Sequence, residues 1–182
     1  MPLSPPTDRE ALHTRCYEFH GYQRTDGLWD IEGQLTDAKS YGFDNRFRGR
    51  IEAGTPLHDM WIRLTLDEGF VIRDIEAVTD AGPYEVCPDI TPNFRKVIGL
   101  KIGAGWRGIL RQQLGGTQGC THLVEMLGAM ATVAFQTIYP KIARKVENPD
   151  AARKPFLIDS CHAYRSDGPV VRQTWPKFYT GE

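Results

Sequence analysis

The chain lacks a basic excess. Lys and Arg number 22 against 23 Asp and Glu, a net charge of −1 with neutral histidines, so the electrostatic footprint of a nucleic-acid-binding domain is missing. Cysteine is scarce. Four residues, at positions 16, 87, 120 and 161, are too few and too scattered to staple a disulfide scaffold. Long apolar runs are absent as well: the longest, Ala129 to Phe135, is interrupted by Thr132 and is far too short to span a bilayer. The N-terminal stretch MPLSPPTDRE has neither the basic nor the apolar part of a secretory signal. These absences lead to the expectation of a cytoplasmic protein with no membrane and no nucleic-acid partner. Familiar catalytic and metal signatures are missing too. There is no C-x-x-C pair, no H-E-x-x-H, no G-x-S-x-G elbow and no phosphate-binding loop. Any metal site has to be assembled from distant parts of the chain.

What is present is a chain of 182 residues, 41% hydrophobic, enough for one domain with a real core. Residues 1–10, with Pro2, Pro5 and Pro6, read as a mobile arm. Residues 14–79 read mainly as strands. Arg15 to Gln23 is rich in aromatics, Thr25-Asp26-Gly27 makes a turn, and Leu28 to Thr36 alternates, with Trp29, Ile31, Gly33 and Leu35 on one side. Residues 37–55 read as a long connecting loop with a short strand at Phe47 to Ile51. His58 to Leu66 alternates again, with His58, Met60, Ile62 and Leu64 in phase, and Asp67-Glu68-Gly69 turns it into a strand over Phe70 to Thr79.

The period then changes. Residues 91–146 read mainly as helices: one opened by Thr91-Pro92, one over Trp106 to Leu114, and the longest over Thr121 to Tyr139, where Pro140 marks a bend or stop. Residues 147–155 read as a polar link and 156–182 as an extended tail. That tail is free to lie against the sheet or to embrace a second subunit, which leaves a homo-oligomer open. Strands first and helices after predict an α+β fold, an antiparallel sheet of hairpins with helices packed on one face, in a single domain over 1–182.

Several constellations could carry chemistry. In GGTQGCTHL, residues 115–123, Cys120 stands at the start of the long helix, where the dipole and the free N–H groups lower a thiol pKa and can hold an anionic oxygen. His122 follows two residues later. A buried cysteine beside a hydrogen-bonded cap histidine accounts for the same residues. In DSCHAY, Asp159, Cys161 and His162 are ligand or catalytic types, although a polar tail with a buried thiol reads equally well. His58 points to the apolar side, as a base or as a satisfied core histidine. Asp59 shares the opposite face with Arg63, a natural ion pair. Asp30 and Glu32 are two carboxylates on one strand face, fit for acid–base work or simply solvated, with Lys39 and Tyr41 nearby. Cys16 reads as structural. Trp29, Trp61, Trp106 and Trp175 read as core or site-lining residues able to stack an aromatic ligand.

GGTQGCTHL, HDMWIRLTLD and IDSCHAY together resemble the bacterial family called domain of unknown function 2889, over most of residues 10–180. That resemblance implies a small-molecule role in the catabolism of aromatic or xenobiotic compounds. Residues 58–139 also resemble the layout of the NifU-type iron–sulfur scaffold fold: a strand hairpin, a cysteine in the following loop (Cys87), helices, then a cysteine opening a long helix (Cys120). No cysteine lies between Cys87 and Cys120, however, and Gly119 precedes the second.

The expectation is therefore a small-molecule enzyme of aromatic-compound catabolism, a lyase working by cofactor-independent acid–base chemistry, with elimination or C–C cleavage next to a carbonyl or phenol. His58 or His122 is the base. The backbone around Cys120, with Arg63 if it turns inward, holds the anion. Trp61, Tyr41 and Glu32 contact the substrate. The alternative is a metal- or cluster-binding protein that uses Cys87, Cys120, His122, Cys161 and His162 for zinc or iron, since mixed sulfur and nitrogen ligands favour those metals.

Overall fold

The computed structural model describes residues 3–146 and 154–182. Contacts divide the chain into two compact units, Met1–Tyr139 and Pro140–Glu182.

The first unit carries six strands: β1 (His13–Gln23), β2 (Trp29–Lys39), β3 (Phe43–Asn45), β4 (Gly49–Ile51), β5 (Pro56–Leu66) and β6 (Ile72–Ala81). Four of them form an antiparallel sheet in the order β1-β2-β5-β6, while β3 and β4 pair separately. Period-two patterning explains the sheet. Along β2 the residues Trp29, Ile31 and Leu35 are no more than 2% exposed, and Asp30, Glu32 and Gln34 between them look the other way. On β5 the same rule buries Met60, Ile62 and Leu64 and leaves Trp61 and Arg63 outside.

Four helical segments follow: a 3-10 segment over Cys87–Val97, α1 over Trp106–Leu114, a 3-10 turn over Gly116–Gln118 and α2 over Thr121–Val146. The sheet and these helices make the fold α+β. Helix α2 lies against the apolar face. Its residues Leu123, Met126, Leu127, Met130, Ala134 and Ile138 recur at helical spacing and are fully buried. Each of the Leu, Met and Ile side chains among them contributes about 1.5–3 kcal/mol by leaving water. The approach is close at Gly33, where a Cβ would stand 2.9 Å from the Phe19 ring and 3.3 Å from Met126 Sδ. Helix α1 buries Trp106, Leu110 and Leu114, and the Trp106 indole N–H donates to the Leu127 carbonyl at 3.3 Å, tying α1 to α2.

The structure departs from the sequence reading at several places. Strand β2 continues to Lys39, and residues 43–51 form the β3–β4 hairpin instead of a loop with one short strand. Asn45 Oδ1 accepts from the N–H groups of Phe47 and Arg48 and closes that turn. Strand β6 begins at Ile72, because Phe70 sits in the turn at φ 64°. The 3-10 segment begins at Cys87, ahead of Thr91. The Thr91 hydroxyl donates back to the Pro88 carbonyl at 2.9 Å and so lies inside the segment rather than capping it. Helix α2 runs through Pro140, losing one backbone donor without ending. Cys16, read as structural, is exposed on the edge strand β1.

In the second unit the tail is not extended. It turns at His162–Tyr164, forms α3 (Pro169–Thr174) and turns again at Pro176–Phe178. Asp159, at φ 67°, accepts from Lys154 Nζ at 2.7 Å and from the Ser166 N–H at 2.8 Å. Such local bonds satisfy the backbone without a strand partner. Most of the expected polar link, 147–153, lies outside the described residues. Among the described residues no helix is long and apolar enough to cross a membrane.

Candidate functional site

The polar corner of the apolar face is built by strand register. Arg15 on β1 is the cross-strand partner of Asp37 on β2, and Asp37 is the partner of His58 on β5. The three therefore form one row across the sheet; Asp37 and His58 are in phase with the buried residues of β2 and β5, and Arg15 is in phase with the half-buried Tyr17 and Phe19 of β1. The register shifts directly after Asp37, so the row stands where regular pairing ends. The first turn of α2 brings His122 over it.

The contacts are short. Arg15 donates to Asp37 Oδ2 through Nε at 3.0 Å and Nη2 at 2.6 Å. The other carboxylate oxygen, Oδ1, lies 2.8 Å from His58 Nδ1. His13 Nε2 stands 3.6 Å from Oδ2. The His58 and His122 rings are tilted against each other with centroids 4.0 Å apart. Cys120 Sγ lies 3.8 Å from His122 Nδ1. Asp37 is 2% exposed and His58 7%, whereas His122 and Cys120 are half-buried.

These surroundings set the charges. Burial alone would raise the Asp37 pKa, but the hydrogen bonds from His58 and Arg15 outweigh it and hold the carboxyl below its ordinary value. The group is thus an anion, and His58 Nδ1 carries the proton it donates, which leaves Nε2 with the lone pair in the neutral ring. The His122 pKa is lowered by burial first, then by the electrostatic influence of the adjacent His58 and of Arg15. The chemistry available is that of a carboxylate-oriented imidazole beside a second, neutral one. Cys120 caps α2, its carbonyl accepting from Val124 N–H at 2.9 Å, and the first-turn N–H groups beyond it have no acceptor within the helix.

Of the expected catalytic residues, the structure brings together His58, His122 and Cys120. Arg63 does not turn inward. Five residues from His58, it has the opposite parity, and it donates to Glu32 at 2.7 Å and to Glu76 at 3.2 Å on the outer face. Its expected pairing with Asp59 is not formed either: Asp59 accepts from Gln34 Nε2 at 2.9 Å. Glu32 and Trp61, expected at the substrate, meet on that outer face around an open groove of about 320 Å³ that Arg63, Glu76 and Val78 also line. Tyr41 is not among the groove's lining residues. It lies in the β2–β3 connection with its hydroxyl 3.1 Å from Lys39 Nζ.

Among the described residues, Asp37, His58 and His122 are the one grouping of three ligand-type side chains, with one ligand atom from each within 4.8 Å of the others. Of the expected metal set, only His122 belongs to it. Cys87 opens the 3-10 segment and packs against Gly82, and Cys161 and His162 belong to the second unit. All four cysteines are free thiols.

Two members of the row, Asp37 and Arg15, escaped the sequence reading. Asp37 continues the 29-31-33-35 alternation by one step, and a strand extended past Thr36 would have placed it inward beside His58. Arg15 needed the β1–β2 register, which no local pattern announces.

A family model described as "Protein of unknown function (DUF2889)" matches residues 13–136, a span that contains Arg15, Asp37, His58, Cys120 and His122. No curated protein and no solved structure matches the chain.

Proposed function

We propose that the chain, which belongs to the DUF2889 family, is a small-molecule enzyme whose chemistry is proton transfer at the Asp37–His58–His122 corner. The reaction class is that of a lyase acting on aromatic compounds. The observation that carries this reading is the 2.8 Å bond from His58 Nδ1 to Asp37, with the His122 ring tilted against His58 at a centroid distance of 4.0 Å.

In this reading Asp37 fixes the His58 tautomer and Arg15 keeps Asp37 ionised. His58 Nε2 takes a proton from a carbon next to a carbonyl or phenol. The C–H electron pair becomes the new double bond as the leaving group departs with its own electrons. Helix N–H groups beyond Cys120 offer the anionic oxygen a place to rest. General base catalysis of this kind supplies about 10²–10⁴-fold in rate. The aromatic substrate class follows from the family resemblance. The four free thiols favour a reducing compartment, the cytoplasm.

The test is proton exchange, which needs no knowledge of the leaving group. A para-hydroxyphenyl ketone is incubated with the chain in deuterium oxide and its α-protons are followed by NMR. Exchange above the buffer rate is expected, with His58→Ala and His122→Ala each slower by about 10²-fold or more. Undiminished exchange in both variants overturns the assignment.

A further inference from the structure

The row Arg15–Asp37–His58 and the histidine above it have a property that acid–base chemistry does not use. Two imidazoles and one carboxylate converge from three separate elements, β2, β5 and α2, with their ligand atoms inside 4.8 Å. From the geometry we infer that Asp37, His58 and His122 form a binding site for one divalent first-row transition ion, zinc being the type case.

The donor chemistry fits. Two histidines and a carboxylate are a recurring ligand set for zinc or ferrous iron, with a coordination position left for water or substrate. Bond lengths of about 2.0–2.1 Å in a tetrahedral site put donor atoms about 3.3 Å apart. The 2.8 Å between His58 Nδ1 and Asp37 Oδ1 has to open by a few tenths of an ångström, and His122 has to close a gap of at most 4.8 Å. His122 is half-buried at the start of α2; its ring can move where the two strand residues cannot.

The outer contacts fit as well. Arg15 holds Asp37 by Oδ2 alone, which leaves Oδ1 facing the two imidazoles as a one-oxygen ligand. Ligating carboxylates are commonly oriented by such a second hydrogen bond. As the ion takes Nδ1, His58 changes tautomer: the proton leaves Nδ1 and the neutral ring carries one on Nε2 instead. No cysteine is required, so the site differs from every sulfur-based set that the sequence suggests.

This inference rests on the reading of the corner as the working centre; with the ion on Nδ1, His58 Nε2 would carry the ring proton and not act as the base, and the ion would supply instead a Lewis acid able to polarise the carbonyl or phenol oxygen. The two separate cleanly in one set of samples. The full chain, purified without a histidine tag and stripped with chelator, is titrated with zinc by calorimetry and with cobalt by visible absorption. One ion per chain is expected. Affinity should fall by 100-fold or more in His122→Gln and in Asp37→Asn, while Cys87→Ser and Cys161→Ser bind as the parent does. His122→Gln alters a half-exposed side chain, so the fold survives it, and circular dichroism verifies this. No uptake by the parent chain, or uptake unchanged in both variants, overturns the site. Imidazole nitrogen NMR of the stripped chain reads the other half: the Nδ1–H tautomer of His58 without ion uptake leaves the base reading standing alone. Ion uptake combined with proton exchange indifferent to His58→Ala leaves only the metal site.

Discussion

The two faces of the sheet present the same chemical pair in different settings. On the inner face Arg15 holds Asp37 at 2.6 Å, with the carboxylate 2% exposed. On the outer face Arg63 holds Glu32 at 2.7 Å, with the arginine 51% and the carboxylate 30% exposed. Length does not separate them; solvent does. An exposed pair is worth about 0–1 kcal/mol, because water competes for both partners and two long side chains lose freedom. A buried carboxylate stripped of its partners has no water to turn to. The inner pair is also tied to His58 and faces His122, whereas the outer pair is tied only to Glu76. A charge on the inner face is therefore committed to its neighbours, which is what a reactive or ligating centre needs. The outer face can exchange its contacts freely.

The largest difference should appear when the central carboxylate is removed. Asp37→Ala leaves Arg15 and His58 facing one another without their anion and should cost about 3 kcal/mol, read as a lower urea midpoint at unchanged slope. A loss below about 1 kcal/mol would make the inner pair no different from the outer one.

Acid should reveal the same asymmetry without mutation. His122 has a lowered pKa, so the unfolded chain binds its proton more readily than the folded one, and stability falls as pH drops through about 6.5, the ordinary histidine value. Asp37 is lowered from 3.8 and adds a second loss below that pH. For both groups stability rises with pH. His122→Gln should flatten the upper step in urea midpoints measured at a series of pH values. A midpoint that rises on acidification through 6.5 breaks the account of a half-buried, neutral His122.

The smallest effect belongs to the outer face. Arg63→Ala should change stability by about 1 kcal/mol or less, and less still in high salt, where exposed charges are screened. A larger loss would show that the groove lined by Glu32, Trp61, Arg63 and Glu76 is more than a solvated surface.

Much of the fold was legible. Alternation from Trp29 to Leu35 and from His58 to Leu66 marks two half-buried strands, because a sheet with one covered face repeats every two residues. Spacing from Leu123 to Ile138 marks the covering helix, because α2 buries one stripe. The local turns at Asp26-Gly27 and Glu68-Gly69 follow from residue type. What failed was longer in range. The segment after Thr36 looks polar and reads as a loop, yet Asp37 completes the strand. Arg63 looked available to an anion site, yet its parity with His58 sends it outside. The tail looked extended, yet Asp159 folds it back through bonds to residues on both sides.

The sequence by itself determined which residues face inward over Trp29 to Leu35, along β5 and along α2, and so already set His58 among apolar neighbours and His122 at the head of the long helix. Phase is a local property, carried by the chirality and spacing of the chain. Only the tertiary structure decided that Arg15, Asp37 and His58 share one row and that His122 stands above it. Register between β2 and β5 spans a connection of mixed hairpin and turn, and docking of α2 depends on packing summed over the whole face. Neither is written in any single stretch of residues.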